Sequence, residues 1–222
     1  MNQRSCLVMI WHTFLSIFEI MYAHMRFMFF KKPIVTIFGG HKLPASMKTL
    51  KKEINEIAYQ LVLCDLMIMT GGGSGVMHQA HQGSCRADSE MNKGPSCIGI
   101  SVKGLDEPRG SVSCQDKLYM TTHTFAARKW ILMRFSKVFF FFPGGFGTLD
   151  EFMEVMTLLK VQKLDKRKIV LYDKAYWQGF LKWSEQKMVK TGFSEKKEMD
   201  YFVLVDSVDE AVKELRECCS CK

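Results

Sequence analysis

The stretch VFFFFPGGFGTLDE, residues 138–151, decides the fold. Val138, Phe139, Phe140, Phe141 and Phe142 form a short, wholly apolar run, which suits a strand covered on both faces. Pro143 ends it. Gly144, Gly145 and Gly147 then let the backbone approach a ligand closely, and the helix expected from Thr148 offers unpaired N–H groups and a positive dipole end to an anion. The residues therefore read as strand, phosphate cradle and helix, with the carboxylates of Asp150 and Glu151 beside the cradle.

Outward from this unit, short apolar runs alternate with helical periodicity. Strands are expected at 34–38, 66–70, 98–102, 118–120, 138–142, 169–171 and 202–205, and helices at 47–62, 76–82, 125–135, 148–159, 175–189 and 208–217. Segments 88–95 and 105–115 carry loop chemistry, and Ser207 with Glu210 spells a capping box for the last helix. Such alternation predicts an α/β fold, doubly wound, with a mainly parallel sheet of about seven strands flanked by helices.

Residues 7–30 are rich in Met, Phe and Ile, but His12, Glu19, His24 and Arg26 interrupt them, so no uncharged run reaches the roughly 20 residues a bilayer needs. Phe14, Phe18, Met21, Met25 and Met28 follow a three-to-four spacing. That spacing predicts an amphipathic helix packed on the domain or on a partner, and no membrane association.

With 222 residues, 47% hydrophobic and 24% charged, the composition is that of an ordinary soluble globular protein. The 31 Lys and Arg outnumber 23 Asp and Glu, giving a net charge of +8 that would steer phosphorylated metabolites or nucleic acid. The basic residues are dispersed and not interleaved with aromatics in one strip, which argues against nucleic acid. Eight cysteines lie scattered at positions such as Cys64 and Cys97, so reduced thiols in a cytoplasmic protein are expected. Cys218, Cys219 and Cys221 form a Cys-rich tail, but no second CxxC or His pair completes a zinc set.

Three glycine turns follow strand candidates: Gly39 and Gly40; Gly71, Gly72, Gly73 and Gly75; and Gly144, Gly145 and Gly147. In an open parallel sheet all three fall at carboxyl ends of strands, where ligands bind. None fits GxGxxG or the P-loop pattern. Thr148 and Glu151 match the T-x-x-E capping box, and a capping carboxylate would still stand next to whatever the turn binds. Two acids beside a phosphate require a cation, which Arg128 or Lys129 can supply, unless Arg128 only snorkels from a half-buried helix. Ser74 lies outside any GxSxG elbow, and its hydroxyl is a candidate phosphate ligand. His41, His78, His81 and His123 fall near the crevice rims without HExxH or carboxylate partners, so no metal is expected.

Gly71, Gly72, Gly73, Ser74, Gly75, Val76 and Met77, the pair Arg128 and Lys129, and the string PGGFGTLDE together resemble the Lonely guy (LOG) family, once labelled lysine decarboxylase-like. The resemblance covers residues 33–183. It implies hydrolysis of the N-glycosidic bond of nucleoside 5′-monophosphates, including cytokinin riboside 5′-monophosphates, to free base and ribose 5-phosphate. It further implies a homodimer or larger assembly with its site near a subunit interface. By this resemblance Arg128 and Glu151 match the catalytic pair. Gly144, Gly145, Gly147 and Thr148 match the phosphate-binding turn, and Gly72 and Gly73 the second glycine turn. Gly40, Ser74, Met77, Lys129 and Asp150 are further candidate substrate contacts. The sequence departs from the family pattern at Gly39, Gly40, His41 and Lys42, where relatives often carry Gly-Ser and an Arg, and at Ser74, where Pro is frequent. Residues 1–32 then read as an N-terminal amphipathic helical extension, 33–217 as one Rossmann-like nucleotide-binding catalytic domain, and 218–222 as the tail. A non-catalytic nucleotide or phosphorylated-ligand carrier is the alternative. No cofactor is expected, because nothing around Lys129 or Lys137 marks a pyridoxal phosphate lysine.

Overall fold

Side chains along the run of phenylalanines point alternately to opposite sides, and both sides are covered. In the computed structural model, which describes residues 3–105 and 118–219, this run lies in β5 (Ser136–Phe141) and the residue after it. Phe139 and Phe141 join one hydrophobic cluster, while Val138, Phe140 and Phe142 join a second on the other face of the sheet. All five are essentially without exposure. An alternation of period two that is apolar at every position belongs to an interior strand between two helical layers.

Around it the chain builds seven parallel strands, β1 (Ile34–Phe38), β2 (Met67–Thr70), β3 (Cys97–Val102), β4 (Tyr119–Thr122), β5, β6 (Lys168–Tyr172) and β7 (Phe202–Val205). Their spatial order is β4-β3-β2-β1-β5-β6-β7. The doubly wound α/β expectation is met, and each expected strand is present with ends shifted by at most two residues. Winding runs outward from β1 to β4 and then restarts at β5 on the other flank of β1. Parallel register there pairs Ile37 with Phe140 and Phe38 with Phe141. Such a reversal opens a crevice at the carboxyl ends of the two central strands.

One helical layer holds α2 (Lys48–Leu63), α3 (Val76–Glu90) and α7 (Val208–Cys219), and the other α1 (Gln3–Met28), α4 (Phe125–Arg134), α5 (Phe146–Lys160) and α6 (Lys174–Ser184). Helix α3 runs to Glu90, past the expected end at residue 82, and takes up the start of the expected 88–95 loop. Gly83 reads as a break but serves close packing: a Cβ there would lie 2.0 Å from the Asn55 carbonyl oxygen on α2. Helix α6 ends at Ser184 and passes into a π-turn (Glu185–Val189), where one continuous helix was expected. At α7 the Glu210 N–H donates to Ser207 Oγ as the capping box requires, whereas the Glu210 carboxylate accepts from Asp206 N–H and not from Ser207. Most of the expected 105–115 loop lies outside the described residues.

Helix α1 is fastened to the domain by one of its faces. Ala23 and Phe27 enter the core, and the Glu19 carboxylate accepts the backbone N–H of His123 at 3.0 Å and meets its Nδ1 at 2.5 Å. Ser16 and Thr124 share a hydroxyl hydrogen bond of 2.7 Å. The helix packs on the domain as expected, while the stripe Phe14, Phe18, Met21, Met25 and Met28 faces away from the domain and is exposed. The helix is apolar on both faces, so periodicity alone could not tell which one the sheet takes. Among the described residues no helix is long and apolar enough to cross a membrane.

Cys64 and Cys97 are not disulfide-bonded, and burial, with Asp88 nearby, pushes the Cys97 thiol up to about 12. Cys85 is disulfide-bonded, contrary to the expectation of reduced thiols throughout; scattered spacing carries no information on pairing.

Candidate functional site

The three glycine turns meet at the switch point and are stitched together by main chain. Gly40 N–H donates to the Pro143 carbonyl at 3.0 Å, and the Gly40 carbonyl accepts Val76 N–H at 3.0 Å. Ser74 Oγ donates to the His41 carbonyl at 2.7 Å, so this hydroxyl proton serves the turn itself. Gly40 and Ser74 thus tie the first turn to the other two.

In the third turn Gly144 sits over Thr148. A Cβ at 144 would fall 2.1 Å from Thr148 Oγ1 and 2.8 Å from Gly40 N, so only glycine closes the junction. Helix α5 starts at Phe146 with Gly145 as its N-cap, two residues before the expected start. Thr148 is therefore a buried first-turn residue and not a cap, and Glu151 lies a turn further along. The capping-box reading of Thr148 and Glu151 is corrected by this register: glycine strings allow a helix to begin earlier than side-chain signals suggest. Since Gly145 brings no side-chain acceptor, the leading N–H groups of α5 present their positive end to the crevice.

The second turn is held from beneath. His81 is fully buried, and its Nε2 bonds Thr70 Oγ1 at 2.9 Å; that oxygen in turn accepts Gly72 N–H at 3.0 Å. Gly72 and Gly75 have φ of +75° and +65°, the left-handed region that a side chain would strain. Met77 is buried, with its sulfur packed close beneath Gly71, so it supports this turn from within.

Arg128 does not snorkel outward. From α4 its Nε donates to the Ile100 carbonyl at 3.0 Å and its Nη2 to the Gly71 carbonyl at 3.4 Å. It lines a cavity of about 250 Å³ together with Gly71, Gly72, Gly73, Tyr119 and Lys103. Next to it, Lys129 Nζ reaches Asp150 Oδ2 at 2.9 Å and Glu154 Oε2 at 2.5 Å, which pins α4 against α5. Burial alone would lower the Lys129 pKa; its bonds to Glu154 and Asp150 outweigh this and hold it above the usual lysine value. The cation expected to offset Asp150 is thus Lys129, leaving Arg128 to the cavity. Glu151, half-buried, follows Asp150 on α5 as Arg128 precedes Lys129 on α4, so the ion pair draws the two helices together at these positions.

The cavity lies over β2, β3 and β4, and the Gly144, Gly145, Gly147 and Thr148 turn forms a separate wall at β5. The expected site residues therefore occupy two walls of one crevice. Sequence reading missed Thr70 and Tyr119, the role of His81 beneath the turn, and Tyr176, whose hydroxyl donates to the Gly144 carbonyl at 2.5 Å. Each is brought in by topology and has no local motif. Among the described residues no cluster of His, Cys, Asp and Glu could hold a metal ion.

A doubly wound parallel sheet, with glycine turns and an open helix start at its switch point, defines a Rossmann-like α/β protein. The chain belongs to the family described as possible lysine decarboxylases, the LOG family, whose model matches residues 77–215. It is 30% identical over 146 residues to a cytokinin riboside 5′-monophosphate phosphoribohydrolase of Mycobacterium marinum, covering 66% of this chain and 74% of that protein. An Arabidopsis thaliana protein of the same name is 30% identical over 165 residues, 73% of each chain. Among solved structures, the molybdenum cofactor carrier protein of Chlamydomonas reinhardtii shares the fold, with a TM-score of 0.59 and 21% identity over 84% of this chain and 98% of that one.

Proposed function

We propose that this protein hydrolyses the N-glycosidic bond of nucleoside 5′-monophosphates, cytokinin riboside 5′-monophosphates among them, releasing free base and ribose 5-phosphate. The observation that carries the reading is the pinning of α4 to α5 by Lys129, Asp150 and Glu154, which sets the Arg128 segment beside the Glu151 segment across glycine turns suited to a phosphate. The phosphate docks on the first-turn N–H groups of α5 at Gly145, Gly147 and Thr148, with Gly72 and Gly73 on the facing wall. Binding energy from this remote group orients the sugar.

As the C1′–N bond lengthens, its electron pair moves to the base nitrogen and C1′ gains oxocarbenium character. The Glu151 carboxylate, held under the ribose hydroxyls, stabilises that charge and receives a proton from the water that adds to C1′. Arg128 positions the substrate and stabilises the departing base, which takes up the proton. The Lys129 ammonium neutralises Asp150, the second acid beside the glycine turn. A homo-oligomer with the crevice near a subunit boundary, in the cytoplasm, completes the proposal.

A second reading, a carrier that binds a phosphorylated ligand without turnover, is favoured by the fold shared with a molybdenum cofactor carrier protein. Incubation with AMP, GMP, CMP, UMP and a cytokinin riboside monophosphate, followed by chromatography, separates the two. Free base and ribose 5-phosphate support hydrolysis; tight binding with every nucleotide recovered intact supports the carrier.

A further inference from the structure

The outward face of α1 carries a regular pattern. Trp11, Phe14, Phe18, Met21, Met25 and Met28 are spaced 3-4-3-4-3, and each is between 54% and 65% exposed. Ile10, Ile17, Tyr22 and Phe29 flank this line and are exposed as well. The opposite face, with Ser16, Glu19, Ala23 and Phe27, is the one fastened to the domain. A 3-4 alternation is the heptad spacing by which one helix seats against another.

The pattern is also symmetric about the midpoint between Glu19 and Ile20. Its first half is aromatic and its second half methionine. Laid antiparallel on a second copy of itself, the line places Trp11 against Met28, Phe14 against Met25 and Phe18 against Met21. The flanks obey the same reflection, Ile10 meeting Phe29 and Ile17 meeting Tyr22. Every bulky rigid ring then meets a slender, adaptable side chain, and each central contact sets sulfur against an aromatic face. A two-fold axis demands this kind of self-complementarity.

We infer that α1 is a self-association helix, pairing antiparallel with α1 of a second copy through Trp11, Phe14, Phe18, Met21, Met25 and Met28. From the exposed fractions, the face offers roughly 1,000 Å² of apolar side chain per copy, where a standard interface needs about 800 Å² per partner. No charged residue lies on the line. Antiparallel pairing also sends the basic Lys31 and Lys32 of the two copies to opposite ends. A membrane surface would cover the same face, but it requires neither the heptad spacing nor the aromatic and methionine halves mirrored about a midpoint.

Pairing does not depend on what the crevice does, and the two are read separately. Light scattering on the full chain should show that F18E/M21E halves the particle mass, with helical content by circular dichroism unchanged. Orientation is read with a short bismaleimide linker. Mixing Phe14→Cys protein with Met25→Cys protein should give cross-linked pairs above the wild-type background. Phe14→Cys alone should not, because its two copies would sit about 16 Å apart along the helices. Wild-type mass in F18E/M21E overturns the inference, as does Phe14→Cys cross-linking to itself as readily as to Met25→Cys. A monomeric wild type that floats with anionic vesicles also overturns it, in favour of a lipid surface. If the charged variant unfolds, the cross-linking pair decides alone. Nucleotide turnover by a monomer refutes the pairing and the subunit boundary proposed for the crevice but not its chemistry, and a dimer without turnover refutes only the crevice reading.

Discussion

The two main walls of the crevice use the same materials to different ends. At β5–α5, Gly144 is squeezed between Thr148 and Gly40 while Gly145 and Gly147 stand open, so that a Cβ at either would touch nothing within 4 Å. At β2–α3 the order is reversed. Gly71 and Gly72 are hemmed in by Arg128 and Tyr119, and the buried pair Thr70 and His81 grips the turn from below. One turn is locked at its root and open at its tip, as a surface that receives a ligand must be. The other is hemmed by side chains at Gly71 and Gly72 and by main chain at Gly75, and it shapes a cavity. Glycine content alone does not distinguish a cradle from a wall; what a Cβ would strike does.

The sharpest way to break this comparison is to remove the acid from the open wall. Glu151→Gln should lower base release by about 10³-fold or more while nucleotide binding and melting temperature stay near wild type. Full turnover in that variant would falsify the assigned role. Next in size, Gly144→Ala should lose about 1–3 kcal/mol of stability by overpacking, with weakened monophosphate binding. Gly145→Ala should leave stability within about 0.5 kcal/mol. Equal melting temperatures for the two alanine variants would erase the distinction between root and tip.

On the closed wall, His81→Leu should cost about 1–3 kcal/mol by leaving buried Thr70 without its partner, and should raise KM more than it lowers kcat. A kcat loss with KM intact would place His81 in the chemistry instead. The smallest effect is expected at Lys129→Met: a partly exposed ion pair contributes about 1 kcal/mol or less. Because the folded-state Lys129 pKa is raised, its stabilisation is fully present below the ordinary lysine value and is lost only as pH rises through the folded one. The difference in melting temperature between wild type and Lys129→Met should thus hold from pH 6 to 9 and shrink only in strong alkali. A difference that vanishes at pH 7 to 8 would contradict the pairing.

The sheet was legible because parallel strands buried on both faces are written as unbroken apolar runs; the five residues from Val138 need no knowledge of their neighbours to be read. The glycine turns were legible for a related reason, since the positions after such runs converge at one edge of the sheet. Glu151 was ambiguous because T-x-x-E has the same spacing whether or not the helix begins at Thr148, and only the register of α5 resolves it. The Lys129 bridge to Asp150 and Glu154 joins two helices distant in sequence, and no local signal foretells it. Helix α3 hid behind Gly83, which looks like a terminator but is the contact point with α2. The outward face of α1 was visible as a stripe, yet which stripe meets the domain depends on Glu19 finding His123.

The placement of β1 has a bearing on how the molecule comes into being. This strand is made before both of its neighbours, and β2 soon lies along one of its sides. Its other side must wait for β5, which begins only at Ser136. Until β5 is made, the central strand of the finished sheet is therefore a raw edge, open to pairing with any passing extended chain. Slowing translation after β4 should prolong that window and favour inclusion bodies over native protein.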